Sequence, residues 1–222
     1  MTADRRATAT AGALIIVGMV AGVLSIVPAL EEPNYLDLIS ADGSQVTAGA
    51  VSQLVMIPAC VGFALCLYPA LRREDEALSL GFVGFRLIAA TFHFAGVVIL
   101  LLFPELGQGS THAGILGESL RTARDLVNHV ALIISLSLGD LLLFAVLHRS
   151  GLVPRSLSAW GFLGAGAAML ASFLVLFRLT EVVAPLYLAM NAPLALQNLA
   201  LAAWLIVRGF APRTGEPAAG HR

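Results

Sequence analysis

The sequence predicts an all-α, polytopic membrane bundle of about six transmembrane helices, and three observations carry that prediction. Of 222 residues, 58% are hydrophobic and only 12% are charged, whereas a soluble domain has about a quarter of its residues charged. The mean hydropathy is +0.87. The apolar residues also gather into runs of about twenty, the length a helix needs to cross the hydrocarbon core of a bilayer. No stretch between the runs is long enough for a soluble domain, so residues 1–222 read as a single integral-membrane domain.

The first span, Thr8–Leu30, follows Arg5 and Arg6 and ends in small residues near Pro28, a pattern that resembles a secretory signal. Its apolar length of about twenty residues exceeds that of a signal core, so it reads as a retained anchor. The second span is Val46–Ala70, where Gln53 and Cys60 repeat at seven and add to a polar lining inside the bundle. Cys60 and Cys66 turn to different faces of this helix. At ~1.5 Å rise per residue their Cα atoms stand about 9 Å apart, too far for a disulfide, so both are assigned to packing. The third span, Leu78–Phe103, contains Arg86 and His93; the fourth, Leu126–Leu147, contains Asp140, Ser137 and His129. A long polar connection from Pro104 to Asp125 separates these two, while the short links at Arg72–Ala77 and His148–Ser156 suit antiparallel neighbours. The fifth span, Leu157–Phe177, carries Gly161 and Gly164, small residues that let helices approach closely, as do Gly18 and Gly22 in the first. The sixth, Val182–Val207, carries Tyr187, Asn191, Gln197 and Asn198, with Pro193 expected to kink it and free a backbone carbonyl.

Basic residues near span ends stay cytoplasmic. Arg5, Arg6, Arg72, Arg73, Arg149, Arg155, Arg208, Arg213 and Arg222 fall on one side, and only Arg121, Arg124 and Arg178 on the other. The expected arrangement is therefore N-in and C-in, in a bacterial cytoplasmic membrane, with the acidic Glu31–Asp37 segment outside. Trp160 and Trp204 lie near the proposed cytoplasmic interface, where indoles anchor.

Arg86 and Asp140 are the two charges well inside apolar runs. Each stands about eight residues, or ~12 Å, from the cytoplasmic end of its span, and the two spans run in opposite directions. They therefore share a level. A charge at a helix centre costs roughly 2.5–3.5 kcal/mol on insertion scales and persists when paired or functional, so contact between the third and fourth helices is expected. Helical offsets add His93 near the Arg86 face and Ser137 beside Asp140, while Asn191, Gln197 and Asn198 extend the polar set on the sixth span. This set forms either a ligand-binding lining or an interhelical adhesive, whose hydrogen bonds contribute only about 0.6 kcal/mol each on average. An Asp140 paired with Arg86 stays ionised, which makes it a counter-ion and a poor catalytic acid.

No cofactor or metal is expected. His93 and His129 differ in depth by several residues, which disfavours a shared haem, and His112, Glu118 and His129 have no metal-binding spacing. The chain has no Lys and no basic run, and its net charge is -1, which excludes a nucleic-acid footprint. Hydrolase and metalloprotease motifs are absent.

Three stretches carry a resemblance. Gly84–Ile88, the run from His148 to Gly161, and Ala192–Asn198 followed by Ala203–Phe210 are similar to the bacterial integral-membrane family catalogued as domain of unknown function 4386. The resemblance covers most of the chain, implies a compact bundle with a membrane-buried Arg, and transfers no activity. In the family's pattern an acidic residue stands at the position of Ala89 and another at that of Asn198, and a small residue at that of Asp140. The resemblance thus implies that the counter-charge of Arg86 has moved to the fourth helix in this chain.

The best functional expectation is binding or transport of a small amphipathic molecule or lipid in a polar-lined intramembrane cavity. The alternatives are an intramembrane enzyme acting on a prenyl or lipid substrate, and a structural or regulatory membrane subunit. Beyond the bilayer, the expected partners are that ligand and, through the small-residue faces, a second copy in a homo-oligomer.

Overall fold

A computed structural model describes residues 3–106 and 111–211. Arg213 and Arg222, which entered the charge count, lie outside the described residues. Among those residues the structure is helical without strands: α1 (Ala3–Leu24), α2 (Tyr35–Ala41), α3 (Ser44–Leu71), α4 (Glu76–Leu102), α5 (Thr111–Asp125), α6 (Leu132–Ser150), α7 (Arg155–Leu176) and α8 (Pro185–Val207). Six helical segments are long and apolar enough to cross a membrane, the fourth running from Ala113 to Ser150 through α5 and α6.

Two boundaries differ from the sequence expectation. The first helix ends at Leu24, and Pro28–Glu31 forms a separate 3-10 turn. Proline lacks the N–H that would continue the ladder, and Ser25 Oγ takes the Gly22 carbonyl at 2.7 Å. The expected polar connection ahead of the fourth span is mostly helix. α5 joins α6 through a π-helical turn, Leu126–Ala131, and packs over the start of α2 through Arg121, whose guanidinium lies 5.0 Å from the Tyr35 ring. Helix α8 runs unbroken through Pro193, as α3 does through Pro58 and Pro69. The missing proline N–H leaves the Ala189 carbonyl without its intrahelical donor.

The spanning helices pack in chain order, α1 on α3, α3 on α4, α4 on α6, α6 on α7 and α7 on α8, and α8 returns to α1. Successive spanning helices run antiparallel, and the return contact closes the ring. That closure has a specific chemistry. Arg5 donates to the carbonyls of Leu205 at 2.9 Å, Ile206 at 2.6 Å and Val207 at 2.7 Å, satisfying acceptors that end α8 without intrahelical partners. Two helical turns on, Gly12 meets Ala202 and Ile206 so closely that an added Cβ would stand 2.7 Å from the Ala202 carbonyl oxygen. Glycine there lets the first and last helices touch.

Two apolar cores fill the ring. One, built on Phe63, Leu67, Phe82, Leu143, Phe144 and Leu205, lies toward the ends that carry Arg5 and Arg149. The other, built on Val27, Leu30, Tyr35, Val97, Leu100 and Phe103, lies toward the opposite ends. Large apolar side chains such as Leu163, Val20 and Phe94 remain exposed on the helices, as expected where hydrocarbon is the solvent.

Candidate functional site

The site is built around Arg86, about ten residues into α4, and Asp140, about ten residues before the end of α6, ~15 Å from those ends at helical rise. Antiparallel packing of α4 on α6 brings the two together. Arg86 Nη2 donates to Asp140 Oδ1 in a buried ion pair. The backbones approach because residue 139 is glycine: a Cβ there would lie 3.2 Å from that of Phe85.

Three more groups hold the guanidinium. Arg86 Nη1 donates to Cys60 Sγ on α3 at 3.9 Å, and the thiol donates to the Arg86 carbonyl at 3.9 Å. The rings of Phe63 and Phe82 flank it, with centroids 5.0 and 5.4 Å from Cζ, and they meet each other edge to face at 5.6 Å. Each ring offers the guanidinium a cation–π contact. Arg86 Nε is buried with no hydrogen-bond partner.

Beside this assembly lies a cavity of about 220 Å3. Its apolar wall is Leu14, Ile15, Gly18, Met19 and Gly22 of α1, Met56, Ala59 and Phe63 of α3, and Leu136 of α6. Its polar groups are Cys60, Arg86, His93 and Asn198. The cavity begins about one turn beyond the Gly12 contact, where Asn198 of α8 faces the middle of α1.

The structure therefore divides the seven residues singled out in the sequence. Arg86, His93 and Asn198 line the cavity. Asp140 is 3% exposed and stands behind Arg86 as its counter-ion, and Ser137, on the same helix, is fully buried with Oγ unpartnered. Gln197 faces away from the cavity lining and donates to the Leu157 carbonyl of α7 at 3.3 Å. Asn191 is spent within its own helix, donating to the Tyr187 carbonyl at 2.9 Å.

Cys60, read both as a packing residue and, with Gln53, as part of a polar lining, is in the cavity wall. Other contributors escaped the sequence reading. Met19 and Met56 form much of that wall, but an apolar residue carries no sign of whether it faces lipid or the interior. Asn128 was also missed. The π turn directs it at Gly96, where an added Cβ would lie 2.6 Å from Asn128 Oδ1 and 3.2 Å from Gln53 Oε1. The next residue, His129, meets the Tyr187 hydroxyl through Nδ1 at 3.0 Å. These groups form a second polar layer, nearer the α5 end than the Arg86 layer. Among the described residues no cluster of His, Cys, Asp and Glu is arranged to hold a metal ion.

A family model described as "Domain of unknown function (DUF4386)" matches residues 10–209, which takes in α1 from Thr10 on, the other spanning helices whole, and all the cavity residues. No curated protein and no solved structure matches the chain.

Proposed function

This chain belongs to the DUF4386 family of multi-pass membrane proteins of unknown function, and we propose that it binds, and in binding carries or presents, a small amphipathic molecule or lipid in the cavity beside Arg86. One observation supports this reading above the others: polar side chains from three helices meet at an unfilled space. Interhelical adhesive alone would turn such groups onto a neighbouring helix, as the Gln197 amide N–H donates to the Leu157 carbonyl. Instead, Cys60 of α3, Arg86 and His93 of α4 and Asn198 of α8 line one cavity. Apolar walls on one side and polar groups on the other match an amphipathic ligand.

The orientation proposed with it puts both termini on the cytoplasmic side of a bacterial inner membrane. Its support is that Arg5, Arg73, Arg149, Arg155 and Arg208 share one end of the bundle, where Asp4 pairs with Arg73 at 3.9 Å and Asp75 with Arg149 at 3.6 Å. On this reading the cavity is nearer the cytoplasmic leaflet. A reporter fused after Arg222 is expected inside; an external signal overturns the orientation.

Native mass spectrometry of the protein extracted with its surrounding lipid tests the binding reading. The expected result is a stoichiometric small amphipathic adduct that a folded Met19→Trp protein, with the cavity filled, no longer retains. Wild-type protein that holds nothing beyond bulk lipid after exposure to membrane extract, or a filled variant that retains the same adduct, overturns it.

A further inference from the structure

We propose that the ligand is a neutral ring bearing carbonyl groups, of the quinone class, with an apolar tail, and not an anionic headgroup. The proposal rests on the cavity-binding reading above and names its chemistry. The first argument is charge. Arg86 looks like an anion receptor, but Asp140 already neutralises it. A carboxylate or phosphate placed beside the pair would be a second negative charge for one guanidinium, buried without compensation. A neutral acceptor meets no such penalty.

The second argument is the inventory of donors. The guanidinium of Arg86 can only donate, and Arg86 lines the cavity. The Asn198 amide and one nitrogen of His93 can donate as well, and both side chains line the same space. Donors of this kind on two helices, α4 and α8, suit a ligand with more than one carbonyl oxygen.

The third argument is size and surface. A dry cavity of about 150 Å3 accepts benzene, so about 220 Å3 accepts a six-membered ring with carbonyl and methyl substituents, but not a bulky polar headgroup. Met19 and Met56 line the apolar side, and thioethers make favourable contacts with ring edges. Their flexibility also accommodates the first part of a tail.

The test compares three probes with equal tails on the full-length protein in nanodiscs: decyl-benzoquinone, decanoate and decyltrimethylammonium, by equilibrium dialysis. The wild type is expected to bind the quinone at least about tenfold more tightly than decanoate, and Asn198→Leu to lose most of that affinity. Asp140→Asn unmasks the guanidinium charge and is expected to shift the preference toward decanoate. Decanoate binding as tightly as quinone to the wild type, or an unchanged preference in a folded Asp140→Asn protein, overturns the neutral-ring proposal while leaving cavity binding in place. Failure of all three probes to bind overturns the cavity-binding reading with it.

Discussion

The most searching prediction concerns the energetic coupling of Arg86 and Asp140. Arg86→Gln leaves the Asp140 carboxylate buried at 3% exposure with no guanidinium, and stranding one member of a buried pair costs about 3–5 kcal/mol. Asp140→Asn strands the Arg86 guanidinium in turn, but keeps it an acceptor oxygen, so the loss falls at the lower end of that range, about 3 kcal/mol. The double variant strands no charge, since the two amides can bond each other. What it still lacks is the stacking of the guanidinium on Phe63 and Phe82, about 1 kcal/mol per ring or somewhat more. The double variant should therefore be no worse than the more damaging single, with a coupling of about 3 kcal/mol, at the upper end for interacting residues. Unfolding of the four proteins by SDS titration in mixed micelles measures the cycle. A coupling near the ~0.6 kcal/mol of an ordinary interhelical hydrogen bond would refute the reasoning, because the pair would then hold the helices no better than two neutral polar groups.

Three further outcomes follow from the packing. Gly164→Ala puts a Cβ 2.9 Å from the Leu194 Cα and is expected to cost about 1–3 kcal/mol. Gly166→Ala meets open space and should be neutral or gain up to about 1 kcal/mol in helix propensity; equal effects in micelle unfolding would contradict the packing of α7 on α8. Arg5→Ala removes three bonds to the end of α8 and is expected to raise hydrogen exchange of the last turn of α8 with little change in α4; unchanged exchange would show that the ring closes without this contact. Hydrogen bonds from Ser44, first from its hydroxyl and then from its N–H, hold the Asp42 carboxyl below its usual range. The stabilisation of the start of α3 is then present above the unfolded value of about 3.9 and lost as pH falls through the lower folded value. Protection of the first α3 amides relative to Asp42→Asn should disappear in acid, and a gap that persists unchanged would count against the contact.

What the sequence determined by itself follows from local chemistry. Hydrocarbon tolerates no unsatisfied backbone, so apolar runs of about twenty residues have to be helices, and the described residues contain six helical segments long and apolar enough to span. Helical rise placed Arg86 and Asp140 at one depth, and the cost of a lone charge required a partner, so their contact was legible before any coordinates. The boundaries were less so: Thr8–Leu30 overran a helix that Pro28 cannot extend, and the polar residues before the fourth span hid α5, because exposed helix has no apolar signature. Tertiary structure decided the rest. It sorted Asn198 toward the cavity and Gln197 toward α7, a difference of one position that depends on how α8 is rotated against its neighbours. It decided between packing and polar lining for Cys60, which stands in the cavity wall, and showed that Met19 and Met56 line the same space. Depth is a property of one helix and can be counted along a chain; facing is a property of pairs of helices, and emerges only when α8 closes back on α1.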